Sequence, residues 1–214
     1  MSVKMISKAV IGRLPRYYRY LGELIENGVE RISSEDLSRM MSVTASQIRQ
    51  DLNNFGGFGQ QGYGYNVKYL YGEIAKILGV EKTHNVVVVG AGNLGHAICK
   101  YQGFIKRGFN MLGIFDVNPQ LIGKSVGELT IMPLDELKAF INEENVDIVA
   151  LTTPKDAVSN VVSICEEAGI KAIWNFTPVD LKTSSGIMVE NVHLSDSLLT
   201  LSYNLKNSRN DRLE

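Results

Sequence analysis

"HNVVVVGAGNLGHAICKYQGF", residues 84 to 104, carries the pattern that decides the fold. Val86 to Val89 form a continuous apolar run, which is expected of a parallel strand that is buried on both faces. Gly90, Gly92 and Gly95 then form G-x-G-x-x-G at the point where a helix begins. The stretch therefore predicts a strand, a tight phosphate-binding turn, and a helix whose N-terminus offers amides and a positive dipole.

A second strand makes this prediction specific. "MLGIFD", residues 111 to 116, ends in Asp116, which lies 21 positions after Gly95. At this place in dinucleotide-binding folds, a carboxylate accepts hydrogen bonds from the adenine-ribose hydroxyls. The same carboxylate would repel a 2′-phosphate. We therefore expect NAD(H) as the cofactor, and not NADP(H).

The rest of this half alternates strands and helices. Further strands are predicted at residues 146–152 and 170–176, with a possible one in "GIMVENV", and a helix is predicted from Lys155 to Ala168. The alternation predicts an α/β domain of the Rossmann type, with a doubly wound parallel sheet. "SLLTLSYNL", residues 197 to 205, is an amphipathic helix that could cap the sheet or cross to another subunit.

The N-terminal residues have helical spacing. One helix is predicted over residues 7–27, closed by Asn27-Gly28, and a short one runs through Leu37 and Met40. Thr44 opens the next helix with Gln47 three residues on, a T-x-x-Q capping box. Ile48 and Leu52 form the apolar stripe of that helix and turn its polar side chains outward: Ser46, Arg49, Gln50 and Asn53. This layout predicts a helix-turn-helix.

"FGGFGQQGYGYNV", residues 55 to 67, follows the presumed recognition helix and contains no charged residue. Its glycines allow tight reversals and close backbone approach to DNA, as in the hairpin of a winged helix-turn-helix. A flexible linker fits poorly, because four aromatic side chains would be exposed in it. We therefore predict a wing.

Length and composition set the outline. The 214 residues suit two domains, which we place at residues 1–82 and 83–196, followed by a C-terminal dimerisation helix and tail at 197–214. No apolar run is long enough to span a membrane, and charged residues interrupt the N-terminus where a signal peptide needs an apolar core. We expect a cytoplasmic protein with no membrane partner.

Charge is distributed unevenly along the chain. Residues 1 to 82 hold 11 Lys and Arg against 8 Asp and Glu, a net +3, while residues 83 to 214 hold 11 against 15, a net −4. This asymmetry indicates that the N-terminal part meets an anionic partner, although a solvated basic helix face would give the same pattern.

Chemistry-bearing clusters are not apparent. Cys99 and Cys165 lie 66 positions apart without a CxxC motif, so we expect ordinary buried thiols and no metal site. A dehydrogenase would need a substrate pocket with an acid or base, yet His193 is the one histidine after Asp116. We therefore predict that the chain is not an enzyme.

The chain resembles the Rex family of bacterial redox-sensing transcriptional repressors over nearly its whole length. The resemblance rests on motifs in this order: IGRLPRYYRYL, TASQIRQDL, FGGFGQQGYGYNV, VVVVGAGNLG, IFDVNP, LTTP, NFTPV and ENV. It implies a homodimer that binds an A·T-rich inverted repeat in double-stranded DNA when NADH is scarce and releases it on binding NADH. NADH would be the effector, bound more tightly than NAD+.

The resemblance also assigns roles by position. For DNA it implies base contacts from three residues of the recognition helix: Ser46, Gln47 and Arg49. It implies phosphate contacts from three basic residues of the first helix: Lys8, Arg13 and Arg16. It also implies a wing that contacts the minor groove through Phe58, Gly59, Gln61, Tyr63, Gly64 and Tyr65. For the cofactor it implies Gly90, Gly92, Asn93, Leu94, Gly95, Tyr101, Asp116, Thr152 and Pro154. It implies a switch made of Arg19, Tyr101 and His193, and a C-terminal helix that is exchanged between subunits.

The chain departs from the family pattern at three places. Gln50 follows Arg49 where relatives often have a second basic residue, and Gln60 and Gln61 stand at an often basic wing tip. We therefore expect DNA affinity to depend less on salt than in relatives. His193 stands where some relatives have an aspartate that pairs with the arginine matched by Arg19.

Two other hypotheses fit parts of the sequence. A small NAD-dependent oxidoreductase with a basic helical appendage predicts turnover of NADH with a carbonyl substrate and no specific DNA binding. A nucleotide-binding scaffold whose N-terminal domain contacts proteins predicts neither activity.

Overall fold

The computed structural model describes residues 6–56, 58–60, 63–183 and 186–210, with the backbone alone at 59, 60 and 208–210. The chain divides after Lys82 into two compact units, here the N-terminal unit and the C-terminal unit. No helix among the described residues combines the length and apolarity needed to cross a membrane.

The N-terminal unit is a helical domain with a small sheet. Its elements are α1 Lys8–Glu26, β1 Arg31–Ile32, α2 Ser34–Met41, α3 Ala45–Asn53, β2 Gly59–Gln60, β3 Gly64–Asn66 and α4 Val67–Leu78. The strands pair antiparallel in the order β1-β3-β2. Together α2, α3 and the β2-β3 hairpin form the winged helix-turn-helix that the sequence predicts.

Short polar side chains determine where these helices begin. The residue before each helix accepts a hydrogen bond from a backbone amide of its first turn: Ser7, Ser33, Thr44 and Asn66. Such caps satisfy amides that lack an intrahelical partner, and each contributes about 1 kcal/mol. Pro15 lies within α1 without ending it, and Gly28, with φ +73°, follows its C-terminus as predicted.

The core of this unit is apolar. It is formed by fully buried side chains from all four helices, among them Leu14, Tyr17, Leu37, Ile48 and Leu70. Ile48 and Leu52 are buried on α3 as predicted, while Ser46, Arg49, Gln50 and Asn53 are exposed. The polar face of α3 is therefore available at the surface.

The C-terminal unit is a doubly wound sheet, which confirms the predicted fold class. Its elements are β4 His84–Val89, α5 Asn93–Lys100, β5 Phe109–Asp116, β6 Ser125–Val126, β7 Leu129–Pro133, α6 Leu137–Glu143, β8 Ile148–Leu151, α7 Val158–Glu167, β9 Ala172–Asn175, β10 Met188–Asn191 and α8 Leu194–Asn210. The strand order is β10-β9-β8-β4-β5-β7-β6. Every pairing is parallel except that of β6 with β7.

The two faces of β4 serve two cores. Val87 and Val89 pack with residues of α6 and α7, whereas Val86 and Val88 pack with Ile98 of α5. The chain returns to pair β8 against β4 on the side opposite β5, so the strand order reverses at β4. In open α/β sheets ligands bind at the carboxyl ends of the strands at such a switch point.

Several boundaries differ from the sequence predictions. A 3-10 turn at Lys155–Ala157 precedes α7, and α8 begins at Leu194, three residues before the predicted Ser197. Burial raises the pKa of Cys99 to about 11 and that of Cys165 to about 12. Both cysteines therefore remain protonated thiols at neutral pH, and neither is a reactive thiolate.

Candidate functional site

The glycine-rich turn after β4 is shaped by contacts that leave no room for side chains. Gly90 has φ +105°, and a Cβ there would meet the carbonyl oxygen of Thr152 at 2.8 Å. A Cβ at Gly95 would collide with the carbonyl oxygen of Gly90, so this glycine lets α5 pack against the strand. By contrast, a Cβ at Gly92 would meet nothing within 4 Å. The turn is thus closed on its inner side and open at Gly92, the N-cap of α5.

Two side chains hold this turn in place. One carboxylate oxygen of Asp116 accepts a 2.6 Å hydrogen bond from the Ala91 amide, and the other accepts a 2.8 Å bond from the Asn118 amide. The Thr152 hydroxyl donates to the carbonyl of Gly90 at 2.8 Å. Asp116 thus lies at the turn with lone pairs left for further donors, while the Thr152 hydroxyl is turned toward the backbone.

The remaining predicted cofactor residues border the same turn. Asn93 is exposed and Leu94 packs against the core in the first turn of α5, whose free amides face an incoming anion. Pro154 is exposed after the carboxyl end of β8. The structure therefore brings Gly90, Gly95, Asp116, Thr152 and Pro154 to one edge of the sheet.

A cavity of about 470 Å³ opens beside Asp116. Its lining comes from the carboxyl ends of β5 and β7 and from α7, and includes Val117, Leu134, Asp135 and Asn160. Sequence reasoning missed these residues, although the rule that ligands bind at strand carboxyl ends would have pointed to the segment after β7.

A row of aromatic rings begins at the end of α5. Tyr101, the C-cap of α5, is 54% exposed and lies 4.8 Å from Phe104 between ring centroids. Phe104 lies 5.4 Å from Trp174, which lies 4.5 Å from Phe176. A side chain at Gly103 would collide with the Tyr101 ring, so this glycine gives the ring its space.

An apolar groove of about 380 Å³ lies on the same face of the sheet. Phe104 and Trp174 belong both to the aromatic row and to this groove, which extends to Met188 and Glu190 of β10. The chain then enters α8, which leaves Leu194, Leu198 and Leu201 more than half exposed.

His193 lies just before α8 and bonds within its own unit. Its Nε2 lies 2.8 Å from a carboxylate oxygen of Asp180, and this hydrogen bond raises the pKa of His193. Arg19 places its guanidinium 4.9 Å from the ring centroid of Tyr20 on α1. The described residues contain no group of three or more His, Cys, Asp or Glu side chains that could hold a metal ion.

In the N-terminal unit, an ionic network joins α1 to α3. Asp51 is fully buried and accepts two hydrogen bonds from Arg13, at 2.6 and 2.7 Å. It also accepts one from the Tyr17 hydroxyl at 2.9 Å and one from the Gln47 side chain at 2.8 Å. Burial alone would raise the pKa of Asp51, but these hydrogen bonds outweigh it and hold the pKa below its usual value.

This network changes the expectations for two predicted DNA contacts. The capping box is half correct, because Thr44 accepts from the Gln47 amide while the Gln47 side chain donates to Asp51. The Arg13 side chain is a quarter exposed and bonds to Asp51. Arg16 donates to the carbonyl of Met41 at the end of α2, whereas Lys8 is exposed at the start of α1.

The wing aromatics divide into buried and exposed rings. Tyr65 is 7% exposed and belongs to the core, and Phe58 packs against it, whereas Tyr63 is 69% exposed. A Cβ at Gly64, with φ +69°, would meet the carbonyl oxygen of Ile32 at 2.6 Å. Gly59 begins β2, and the predicted contact Gln61 lies outside the described residues.

Arg49 projects from α3 beside the wing. Its Nη1 donates to the Ser34 hydroxyl at 2.9 Å, and its residue neighbour Gln50 is also exposed. With Ser46, these side chains give α3 a polar outer face of the kind that hydrogen-bonds base edges in a major groove.

Comparison with known proteins places both units. A family model described as "Putative DNA-binding protein N-terminus" matches residues 5–53, and one described as "CoA binding domain" matches residues 81–179. The redox-sensing transcriptional repressor Rex of Thermoanaerobacter sp. (strain X514) is 57% identical over 201 residues, covering 94% of this chain and 90% of the relative.

Solved structures extend the similarity to the whole fold. RSP in complex with β-NAD+ and operator DNA matches with a TM-score of 0.88 at 55% identity, over 98% of this chain and 96% of the other. RSP in complex with β-NADH matches with a TM-score of 0.88 at 51% identity, over 99% and 100% of the two chains.

Proposed function

The chain belongs to the Rex family of redox-sensing transcriptional repressors, and on that premise we propose that it is an NADH-sensing DNA-binding repressor. As a homodimer it holds an A·T-rich inverted repeat when NADH is low and releases it on binding NADH. The observation that carries this proposal is that one chain joins a recognition helix with an exposed polar face to a glycine-rich dinucleotide turn held by Asp116. We place it in the cytoplasm, as a regulator and not an enzyme.

The residues at the turn fit a dinucleotide. Gly92 leaves the backbone open to a pyrophosphate, and the first amides of α5 face it with a positive dipole. The Asp116 carboxylate has room to accept ribose hydroxyls, and the adjacent cavity is large enough for an adenine ring. The negative charge of Asp116 disfavours a 2′-phosphate, so NAD(H) fits better than NADP(H).

The preference for NADH follows from the aromatic row. Oxidised nicotinamide is a cation and reduced nicotinamide is neutral. Tyr101 and Phe104, at the end of α5 away from Asp116, offer that ring an apolar neighbourhood in which an unpaired cation loses hydration. The protein therefore discriminates between the two forms by solvation, without redox chemistry of its own.

A second copy of the chain fits the exposed surfaces of the C-terminal unit. Leu194, Leu198 and Leu201 line α8 at helical spacing, and the apolar groove lies uncovered on the sheet. Burying both removes apolar surface from water on each protomer. We infer that α8 is exchanged between subunits and covers the partner's groove, next to Phe104 and Trp174.

Coupling requires that NADH distinguish two arrangements of the dimer, because a ligand shifts an equilibrium only by its differential affinity for the two states. The aromatic row runs from Tyr101 into the groove and thus joins the cofactor end to the exchanged helix. We propose that NADH draws the two C-terminal units together and so alters the spacing of the recognition helices from the roughly 34 Å between successive major grooves. Arg19, Tyr101 and His193 are the proposed switch residues, with Asp180 as the partner of His193.

On the DNA side, we assign base contacts to Arg49 and Ser46, and a phosphate contact to Lys8. The hairpin enters the minor groove with Tyr63 and the backbone of Gly59 and Gly64. Arg13 and Gln47 act through Asp51, the buried carboxylate of α3 to which both donate, and so anchor the recognition helix to α1.

Fluorescence anisotropy of a labelled A·T-rich inverted-repeat duplex tests the proposal. The protein is titrated alone, with excess NAD+, and with NADH. Tight binding that NADH alone reverses is the expected result. Binding that neither cofactor changes would contradict the coupling, and absence of binding with turnover of NADH would favour the oxidoreductase hypothesis.

A further inference from the structure

The wing hairpin has no charged residue of its own, yet a guanidinium lies against it. β1 pairs with β3 in the register Arg31 to Asn66 and Ile32 to Tyr65. Ile32 and Tyr65 are buried, so the alternation of side chains along β1 puts Arg31 on the exposed face. Strand β1, which lies outside the β2-β3 hairpin in sequence but belongs to the same sheet, therefore contributes a cation that residues 55–67 lack.

The Arg31 side chain runs along the wing toward its tip. Its backbone partner is Asn66, but Nη1 donates to the carbonyl oxygen of Tyr63 at 3.2 Å, three residues nearer the tip. The guanidinium carbon lies 5.9 Å from the centroid of the exposed Tyr63 ring. The charge is thus displaced from the base of the sheet to the exposed part of the hairpin.

Close strand contact fixes this placement. Gly64 has no side chain where a Cβ would meet the carbonyl oxygen of Ile32 at 2.6 Å, so β1 and β3 approach closely at that point. Two residues after Ile32, the Ser34 hydroxyl accepts the hydrogen bond from Arg49 of the recognition helix. The short segment from Arg31 to Ser34 therefore carries a wing cation at one end and supports a recognition-helix cation at the other.

The charge of Arg31 is available to an anion. None of the ion pairs found among residues 6–56, 58–60, 63–183 and 186–210 includes Arg31. A guanidinium has five N–H donors, and one of these bonds to the Tyr63 carbonyl while the others remain for phosphate oxygens. The contact with Tyr63 orders the side chain before DNA arrives, which lowers the entropy lost on binding.

We propose that Arg31 is the phosphate contact of the wing: it binds the DNA backbone at the edge of the groove that the hairpin enters. The inference rests on the proposed function and adds to it a residue from outside the hairpin. It also gives an uncharged hairpin an electrostatic contact with DNA.

Three substitutions at Arg31 separate charge from structure. Arg31→Gln removes the charge but keeps a donor for the Tyr63 carbonyl, Arg31→Ala removes both, and Arg31→Lys keeps the charge. Arg39→Gln is the matched control, because Arg39 is an exposed arginine of the same unit that is paired with Asp36. Anisotropy with the inverted-repeat duplex is measured over a series of salt concentrations.

We expect Arg31→Gln and Arg31→Ala to lower the slope of log K against log salt by about 1 for each protomer. At about 0.1 M salt, that change in slope corresponds to an affinity loss of about tenfold for each contact. The loss should be equal on the inverted repeat and on random duplex, because phosphate contacts carry no sequence information. Arg31→Lys and Arg39→Gln should keep the wild-type slope.

Several outcomes would overturn the inference. One is a wild-type slope in Arg31→Gln, and another is a loss confined to the inverted repeat, which would make Arg31 a base contact. If Arg31→Ala has a lower melting temperature than wild type, its loss of affinity could come from instability, and the slope of Arg31→Gln then decides whether Arg31 contacts phosphate. If wild type and Arg39→Gln do not bind the duplex and release it with NADH, the proposed function is wrong. If they do, and Arg31→Gln binds like wild type, only the phosphate contact of Arg31 is wrong.

Discussion

Replacing Arg13 by alanine should damage the fold of the N-terminal unit and not the electrostatics of DNA binding. Arg13 gives two hydrogen bonds to Asp51, at 2.7 Å or less, and Asp51 is fully buried. Without Arg13, the carboxylate keeps only Tyr17 and Gln47 as donors, and its charge is uncompensated. Breaking a buried ion pair by removing one partner costs about 3 to 5 kcal/mol.

We expect the loss of stability in Arg13→Ala to lie at the lower end of that range, about 3 kcal/mol, because the Arg13 side chain is a quarter exposed and water can replace part of its contact. In a unit of this size, 1 kcal/mol shifts the melting temperature by about 4 to 8 °C. We therefore expect Arg13→Ala to lower the melting transition of the N-terminal unit by about 12 to 24 °C. Differential scanning calorimetry of the full chain measures this shift.

Two controls make the test specific. Arg39→Gln removes an exposed pair with Asp36 and should cost less than about 1 kcal/mol. The double variant Arg13→Met with Asp51→Asn should recover part of the lost stability, because it leaves no charge unpaired and keeps a side-chain oxygen that can accept from Tyr17. If Arg13→Ala instead melted like wild type and lowered the salt slope of DNA binding by about 1, Arg13 would be a phosphate contact and the positioning argument would be wrong.

Three further predictions concern the cofactor turn, the pH dependence of Asp51 and helix α8. Gly92→Ala should abolish NADH binding, measured by fluorescence titration, without changing the melting temperature. Gly95→Ala should lower both the NADH affinity and the melting temperature, because its Cβ would collide with the Gly90 carbonyl oxygen. The depressed pKa of Asp51 contributes stability that is fully present above its unfolded value of about 3.9 and is lost as pH falls through the folded value, so the stability advantage of wild type over Asp51→Asn should shrink below about pH 4 in a series of melts. Leu198→Asp should convert dimer to monomer in light scattering; an intact dimer would contradict helix exchange.

The features that the sequence predicts well depend on neighbouring residues. The turn after β4 needs glycine where φ is positive and where backbones touch, and these demands appear directly as Gly90 and Gly95. Helix caps are equally local, and Thr44 caps α3 as the sequence predicts. The cavity residue Asn160 could not be assigned by spacing, because only the folding of the sheet brings α7 beside Asp116.

The basic side chains show why contacts between residues far apart in the sequence cannot be predicted from local patterns. Arg13, Arg16 and Arg31 look alike in the chain, but their partners lie 38, 25 and 32 residues away. Each guanidinium is directed by the nearest strong acceptor: a buried carboxylate for Arg13, a helix C-terminal carbonyl for Arg16, and a wing carbonyl at the surface for Arg31. The acceptor of Arg31 is uncharged and belongs to a residue with an exposed ring, so it orders the guanidinium without neutralising it. The number of basic residues in residues 1 to 82 therefore overstates how many of them face DNA, because Arg13 is paired with Asp51 of the recognition helix.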